Sequence, residues 1–104
     1  MKGSFRLSKE AENDLYDIAH YIAADSTDSA MQFLRSFEKT CKLLSHMPAV
    51  GHTPRLFREE LQGIRMMPVS HFVKHLIFYR LLKGDSIEVI RVIHGARDYP
   101  SLFD

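Results

Sequence analysis

The spacing of apolar side chains changes once along this chain, at Pro48, and that change restricts the fold to a helical first half and a stranded second half. Before Pro48, Ala11, Leu15, Ile18, Ala19 and Ile22 recur at the spacing of one helix face. Ser8 stands where an N-cap belongs, and Glu10, Glu12 and Asp14 follow, where acidic groups complement the positive end of a helix dipole. The segment Asp25-Ser26-Thr27-Asp28 is rich in capping residues and long enough only for a turn. Ala30, Phe33, Leu34, Phe37, Cys41 and Leu44 then form a second apolar stripe. Helices joined this tightly are expected to pack antiparallel as a hairpin, with Phe33 and Phe37 on the sheet beside Leu15 and Ile18.

Pro48 ends the second helix, because it lacks an amide proton and disfavours helical backbone in the residue before it. The stretch from there to Gly63 holds two prolines and two glycines and reads as a loop, with at most a short helical turn near Leu56 to Leu61. Ile64 to Val69, Val73 to Leu82 and Ser86 to His94 are rich in Ile, Val, Phe and Tyr, and Lys83-Gly84-Asp85 supplies a turn between the last two. They form a predicted antiparallel meander. Pro68 belongs at a strand end or a sheet edge, since it cannot donate to a ladder. With Phe5 to Leu7 as an opening strand, the order β-α-α-β-β-β predicts an α+β fold, a single domain over residues 1–104 with the hairpin covering one face of a mainly antiparallel sheet.

Composition narrows the function. The single cysteine, Cys41, forms no internal disulfide and sits at core spacing, so it reads as buried filler in a reducing compartment. No apolar run approaches the ~18 residues of a membrane span, and the N-terminus leads into amphipathic sequence, so a cytoplasmic protein with no membrane partner is expected. A net charge of +1 does not announce a nucleic-acid binder. Residues 52–104 hold eight of the fourteen basic side chains and four of the six histidines, so an anion-facing surface is expected there.

The histidines at 20, 46, 52, 71, 75 and 94 show no metal-ligand spacing; His71 and His75, if on one strand, would lie about 13 Å apart. There is no phosphate-cradling glycine loop and no nucleophile elbow, so neither a metal nor a cofactor is predicted. What remains is a set of cationic and imidazole side chains on or beside the meander: Arg65, Lys74, His75, Arg80, Arg91, His94 and Arg97. Such a set can be a solvated sheet face, or can neutralise phosphates and move protons. Gly95 permits a sharp turn as the last strand ends, and Arg97-Asp98 can form a local ion pair, which when exposed contributes only about 0–1 kcal/mol. Arg65 opens the meander while His94 and Arg97 close it, so an antiparallel sheet could bring them to one edge.

Phe5-Arg6-Leu7-Ser8, Ala11, Asp14-Leu15, Ile18 and Tyr21 resemble the opening signature of ParE toxins. The resemblance continues through Ala30-x-x-Phe33, Leu44-x-x-x-Pro48-x-x-Gly51, Gly63-Ile64-Arg65, Ile77-Phe78-Tyr79-Arg80 and Ile90-Arg91-Val92-Ile93-His94-Gly95-Ala96-Arg97-Asp98. It spans nearly the whole chain in order and implies the RelE/ParE toxin superfamily. That superfamily contains both ribosome-dependent mRNA endonucleases of the RelE kind and ParE toxins that act on DNA gyrase.

Side chains divide the two. RelE-like nucleases generally carry paired lysines on the first meander strand, an arginine on the next, and a C-terminal arginine and tyrosine. Here the first strand offers Arg65 followed by Met66 and Met67, whose thioethers do no acid–base work. The next has His75-Leu76 near the arginine position; Arg97 matches the C-terminal arginine, and Phe103 stands where a tyrosine would fall. The resemblance therefore implies a non-catalytic gyrase inhibitor, held in check by a cognate antitoxin that pairs acidic groups with the basic patch of the second half. Arg65, Arg80, Arg91, His94 and Arg97 are the candidate binding residues. The alternative is a ribosome-dependent ribonuclease acting on mRNA, with Arg65, His75, His94 and Arg97 as its catalytic set.

Overall fold

The computed structural model describes residues 4–53, 63–84 and 86–96. Strand β1 (Ser4–Leu7) leads into helix α1 (Lys9–Ala23) and helix α2 (Thr27–His46), and a single 3₁₀ turn follows at Pro48–Val50. Strands β2 (Arg65–Val69), β3 (Phe72–Leu82) and β4 (Ser86–His94) complete the order. The sheet runs β1-β4-β3-β2, with β1 parallel to β4 and the other pairs antiparallel. The α+β architecture and the mainly antiparallel sheet agree with the sequence reading. The segment 56–61, where a short helical turn was expected, lies outside the described residues.

Local chemistry explains the boundaries. The Ser8 hydroxyl accepts a hydrogen bond from the Ala11 amide at 3.0 Å, which starts α1, and Ser26 does the same for α2 through Ser29 at 3.1 Å. Ser8 also donates to the Ile90 carbonyl at 2.7 Å, so one side chain caps the helix and ties it to β4. β2 is the outer strand of the sheet, and its pairing shifts register between Pro68 and Val69, which accommodates the missing proline donor.

Two apolar clusters hold the sheet. On the helix side, Phe33, Phe37, Cys41 and Leu44 of α2 and Ala11 of α1 pack on Ile77, Tyr79, Ile87, Val89 and Val92, with Leu15 and Ile18 against them. Helix hairpin and sheet meet as the two stripes predicted. The opposite face carries a second cluster of Ile64, Phe78 and Ile93, flanked by Met66, Leu76 and Ile90. Both sheet faces are therefore partly apolar, and the hairpin covers one of them, as the sequence reading expects.

The helix-side residues of β4 are 87, 89 and 92, a spacing that strict alternation forbids. A bulge supplies the extra residue: Phe78 pairs with Arg91 and Tyr79 with Val89, leaving Ile90 unopposed. β1 pairs only with the first part of β4, and α1 satisfies what lies beyond. The Asp14 carboxylate accepts from the Val92 amide at 3.0 Å and pairs with the Arg91 guanidinium at 2.7 and 3.1 Å. Asp14 thus stands in for a missing strand, and removing it would leave a buried amide and a half-buried guanidinium to rearrange together.

Burial, with Glu38 adding to it, pushes the Cys41 thiol up from 9.0 to about 12. The unfolded thiol releases its proton near 9 while the folded one keeps it, so the unfolded state binds fewer protons and stability falls as pH rises through that window. The expected contribution is at most about 1.4 kcal/mol per pH unit between 9 and 12. Denaturant titrations across that range should show a shallower alkaline slope for Cys41→Ala; an unchanged slope would refute the assignment.

Candidate functional site

Six of the seven predicted polar residues are described, and they are spread over both sheet faces and both sheet ends. Arg65 pairs with Tyr79 and Tyr79 with Val89, whereas His94 pairs with His75 four positions away along β3. That offset and two strand spacings put Arg65 and His94 roughly 16 Å apart at the backbone. The two ends of the meander do not meet at one edge, because β3 is long enough to hold them apart. Arg97 and Asp98 lie outside the described residues.

Arg65 belongs to a knot around the turn after α2. Its guanidinium donates to the Gly51 carbonyl at 2.9 Å and to Ala49 at 3.4 Å. Beside it, the Tyr79 hydroxyl donates to the Pro48 carbonyl at 2.7 Å and accepts from the Gly51 amide at 3.0 Å. Burial raises the Tyr79 pKa, while the Gly51 amide and the Arg65 charge oppose that shift. The knot gives a physical reason for the Pro48-x-x-Gly51, Arg65 and Tyr79 parts of the sequence signature: two side chains from adjacent strands satisfy the carbonyls and amide of one turn.

Arg80 lies on the face away from the helices, where it holds Glu88 at 2.8 Å. Arg6 approaches the same carboxylate at 3.6 Å, giving a row of alternating charge across β1, β4 and β3. Both arginines are more than half exposed, so the row contributes little to stability. Arg91 is held by Asp14 as described. Lys74 is exposed on β3.

His75 and His94 do come together. They are cross-strand partners with ring centroids 5.3 Å apart and planes at 83°, and His75 meets the Phe33 ring edge-on at 5.2 Å. Their rings lie on the helix side at the far end of the sheet from Arg65. His71 is not on the strand with His75 but in the β2–β3 turn, in the left-handed region at φ 67°. Among the described residues no three His, Cys, Asp or Glu side chains converge as a metal site would.

Two concave surfaces flank α2. One is an apolar hollow of about 290 Å³ walled by Leu7 of β1, Leu15, Tyr16 and Ala19 of α1, and Leu34 of α2. Tyr16 is 65% exposed at its rim, and Met31, one turn before Leu34, is 53% exposed. The other is a groove of about 530 Å³ between α2 and the β2–β3 turn, with Arg35, Lys39, Lys42 and His71 in its lining. Three of these four residues come from the first half of the chain. The groove's signal was available: Arg35, Lys39, Lys42 and His46 follow helical spacing, a basic stripe beside the apolar one.

Comparison with known proteins agrees with this architecture. Residues 5–99 match the family described as ParE toxin of type II toxin-antitoxin system, parDE. No curated protein matches the sequence. A solved structure described as "Chromosomal ParDE TA system from P. aeruginosa" superimposes with a TM-score of 0.67 at 19% identity, covering 89% of this chain and 96% of that one. At that identity the superposition establishes the shared fold alone. The match from Phe5 to Tyr99 takes in both helices, the turn held by Arg65 and Tyr79, and all three strands of the meander, so this chain belongs to the ParE toxin family of type II toxin–antitoxin systems.

Proposed function

We propose that this toxin acts in the cytoplasm as a non-catalytic inhibitor of DNA gyrase and is neutralised by a cognate antitoxin. The observation that carries the reading is the dispersal of the cationic and imidazole residues. RNA cleavage by a 2′-hydroxyl needs phosphate-binding cations and a proton-transfer group within hydrogen-bond reach of one scissile bond. Among the described residues, Arg65 grips a turn, Arg91 an aspartate and Arg80 a glutamate, and His75 with His94 sits far from Arg65. The antitoxin is assigned to the hollow between β1, α1 and α2, whose apolar walls and exposed Tyr16 fit the apolar stripe of an amphipathic segment.

The reading is tested by adding the purified toxin to a gyrase supercoiling reaction and to a ribosome-programmed mRNA cleavage reaction. Gyrase inhibition without mRNA cleavage is expected. Arg97→Ala should stay folded and lose toxicity, and His94→Gln, which keeps hydrogen bonding but cannot shuttle a proton at neutral pH, should keep it. Loss of toxicity together with mRNA cleavage in a folded His94→Gln protein would establish the ribonuclease instead.

A further inference from the structure

The basic groove beside α2 is separate from every contact used so far. Arg35, Lys39 and Lys42 are exposed and rise along one helix face. By helix geometry their attachment points span roughly 10 Å along the axis. Among the described residues Glu38 is the one acidic member of the lining and pairs with Lys42 at 3.6 Å, so the cations outnumber it. Ser70, whose amide donates to the Thr40 hydroxyl at 3.1 Å, fixes the β2–β3 turn against the helix, and Phe72 supplies apolar surface at the base. His71 lines this groove from a left-handed backbone position that glycine would occupy without strain.

We infer that this groove is a second docking site, one that takes an extended acidic segment of the antitoxin with an apolar side chain seated on Phe72. The inference rests on the antitoxin reading above. Charge decides where such a segment goes. α1 carries exposed Glu10, Glu12 and Asp17 against Lys9, while Asp14 is neutralised by Arg91, so acidic sequence is repelled from the α1 side of the hairpin and attracted to the groove on the other flank of α2. A peptide fits better than a nucleic acid. The lining mixes hydrogen-bonding Gln32, Ser36 and Ser70 with Glu38, whose carboxylate can accept a peptide amide. The two sites are also within reach of one chain. Leu34 walls the hollow and Arg35 the groove, so a segment need only pass halfway around a helix about 10–12 Å across, which takes at least about five extended residues.

The test measures binding of the antitoxin encoded beside the toxin gene, at 0.1 M and 0.5 M salt, to the wild type and to a triple Arg35→Gln, Lys39→Gln, Lys42→Gln toxin. Glutamine keeps helix propensity, and thermal unfolding by circular dichroism checks the fold. The triple variant should bind at least about fivefold more weakly at low salt, and its affinity should depend less on salt than that of the wild type. If the wild type binds and the folded triple variant binds equally well, the groove is not a docking site while the antitoxin reading stands. Failure of the wild type to bind overturns both. A single-stranded dT12 oligonucleotide serves as the competing probe: loss of its binding in the triple variant, with antitoxin affinity unchanged, would assign the groove to nucleic acid and overturn the inference.

Discussion

Replacing Phe33 with alanine is expected to lower the unfolding free energy by about 3–5 kcal/mol. Phe33 is fully buried and meets Phe72 and His75 edge-on, with ring centroids 5.3 and 5.2 Å away. It joins α2 to the start of β3, and through His75 it supports the imidazole pair with His94. Truncation forfeits the transfer free energy of the ring, leaves a cavity and removes two aromatic contacts at once. For a chain of this size the loss corresponds to a drop in Tm of more than about 12 °C. Phe33→Leu, which refills most of the volume, should lose less than half as much. Thermal unfolding followed by circular dichroism checks both, and an unchanged Tm for Phe33→Ala would mean that α2 does not rest on β3 through this side chain.

The helices and strand runs were legible because each side of Pro48 obeys one period. Ser8, the stripes from Ala11 to Ile22 and Ala30 to Leu44, and the edge position of Pro68 followed from rules that act over a few residues. The site was harder to read for a different reason. Ser86 to His94 is a continuous run of strand formers, and nothing in it marks Ile90 as the bulged residue; the bulge decides that Val92 and His94 face the helices and that Arg91 meets Asp14. Arg65 looked like an exposed cation because its partners are backbone carbonyls of Ala49 and Gly51, which no composition count reveals. The basic groove is visible in the sequence only by helix face, as Arg35, Lys39, Lys42 and His46 along α2, and is hidden in the charge balance of each half of the chain.

The knot around Pro48–Val50 makes the other large effect, and it depends on an absent side chain. Gly51 has φ −71°, a backbone any residue adopts, so glycine is not required there for conformational freedom. Space requires it: a Cβ at this position would overlap the Tyr79 hydroxyl and lie 2.9 Å from two carbons of its ring. Tyr79 is itself fully buried in the helix-side core and cannot retreat without disturbing that core. Gly51→Ala must therefore push the turn away or expel the ring. Either movement breaks the hydrogen bonds of the Tyr79 hydroxyl to Pro48 and Gly51 and loosens Arg65, for a loss of about 3 kcal/mol or more. Tyr79→Phe alone leaves the Gly51 amide and the Pro48 carbonyl without that partner, a loss of about 1–3 kcal/mol. Combining the two removes the hydroxyl that the new methyl would strike, so the double variant should lose at least about 1 kcal/mol less than the sum of the single losses. Urea denaturation of the four proteins measures this coupling. Strict additivity would mean that the methyl and the hydroxyl never met, and that the turn after α2 is held by something other than Tyr79.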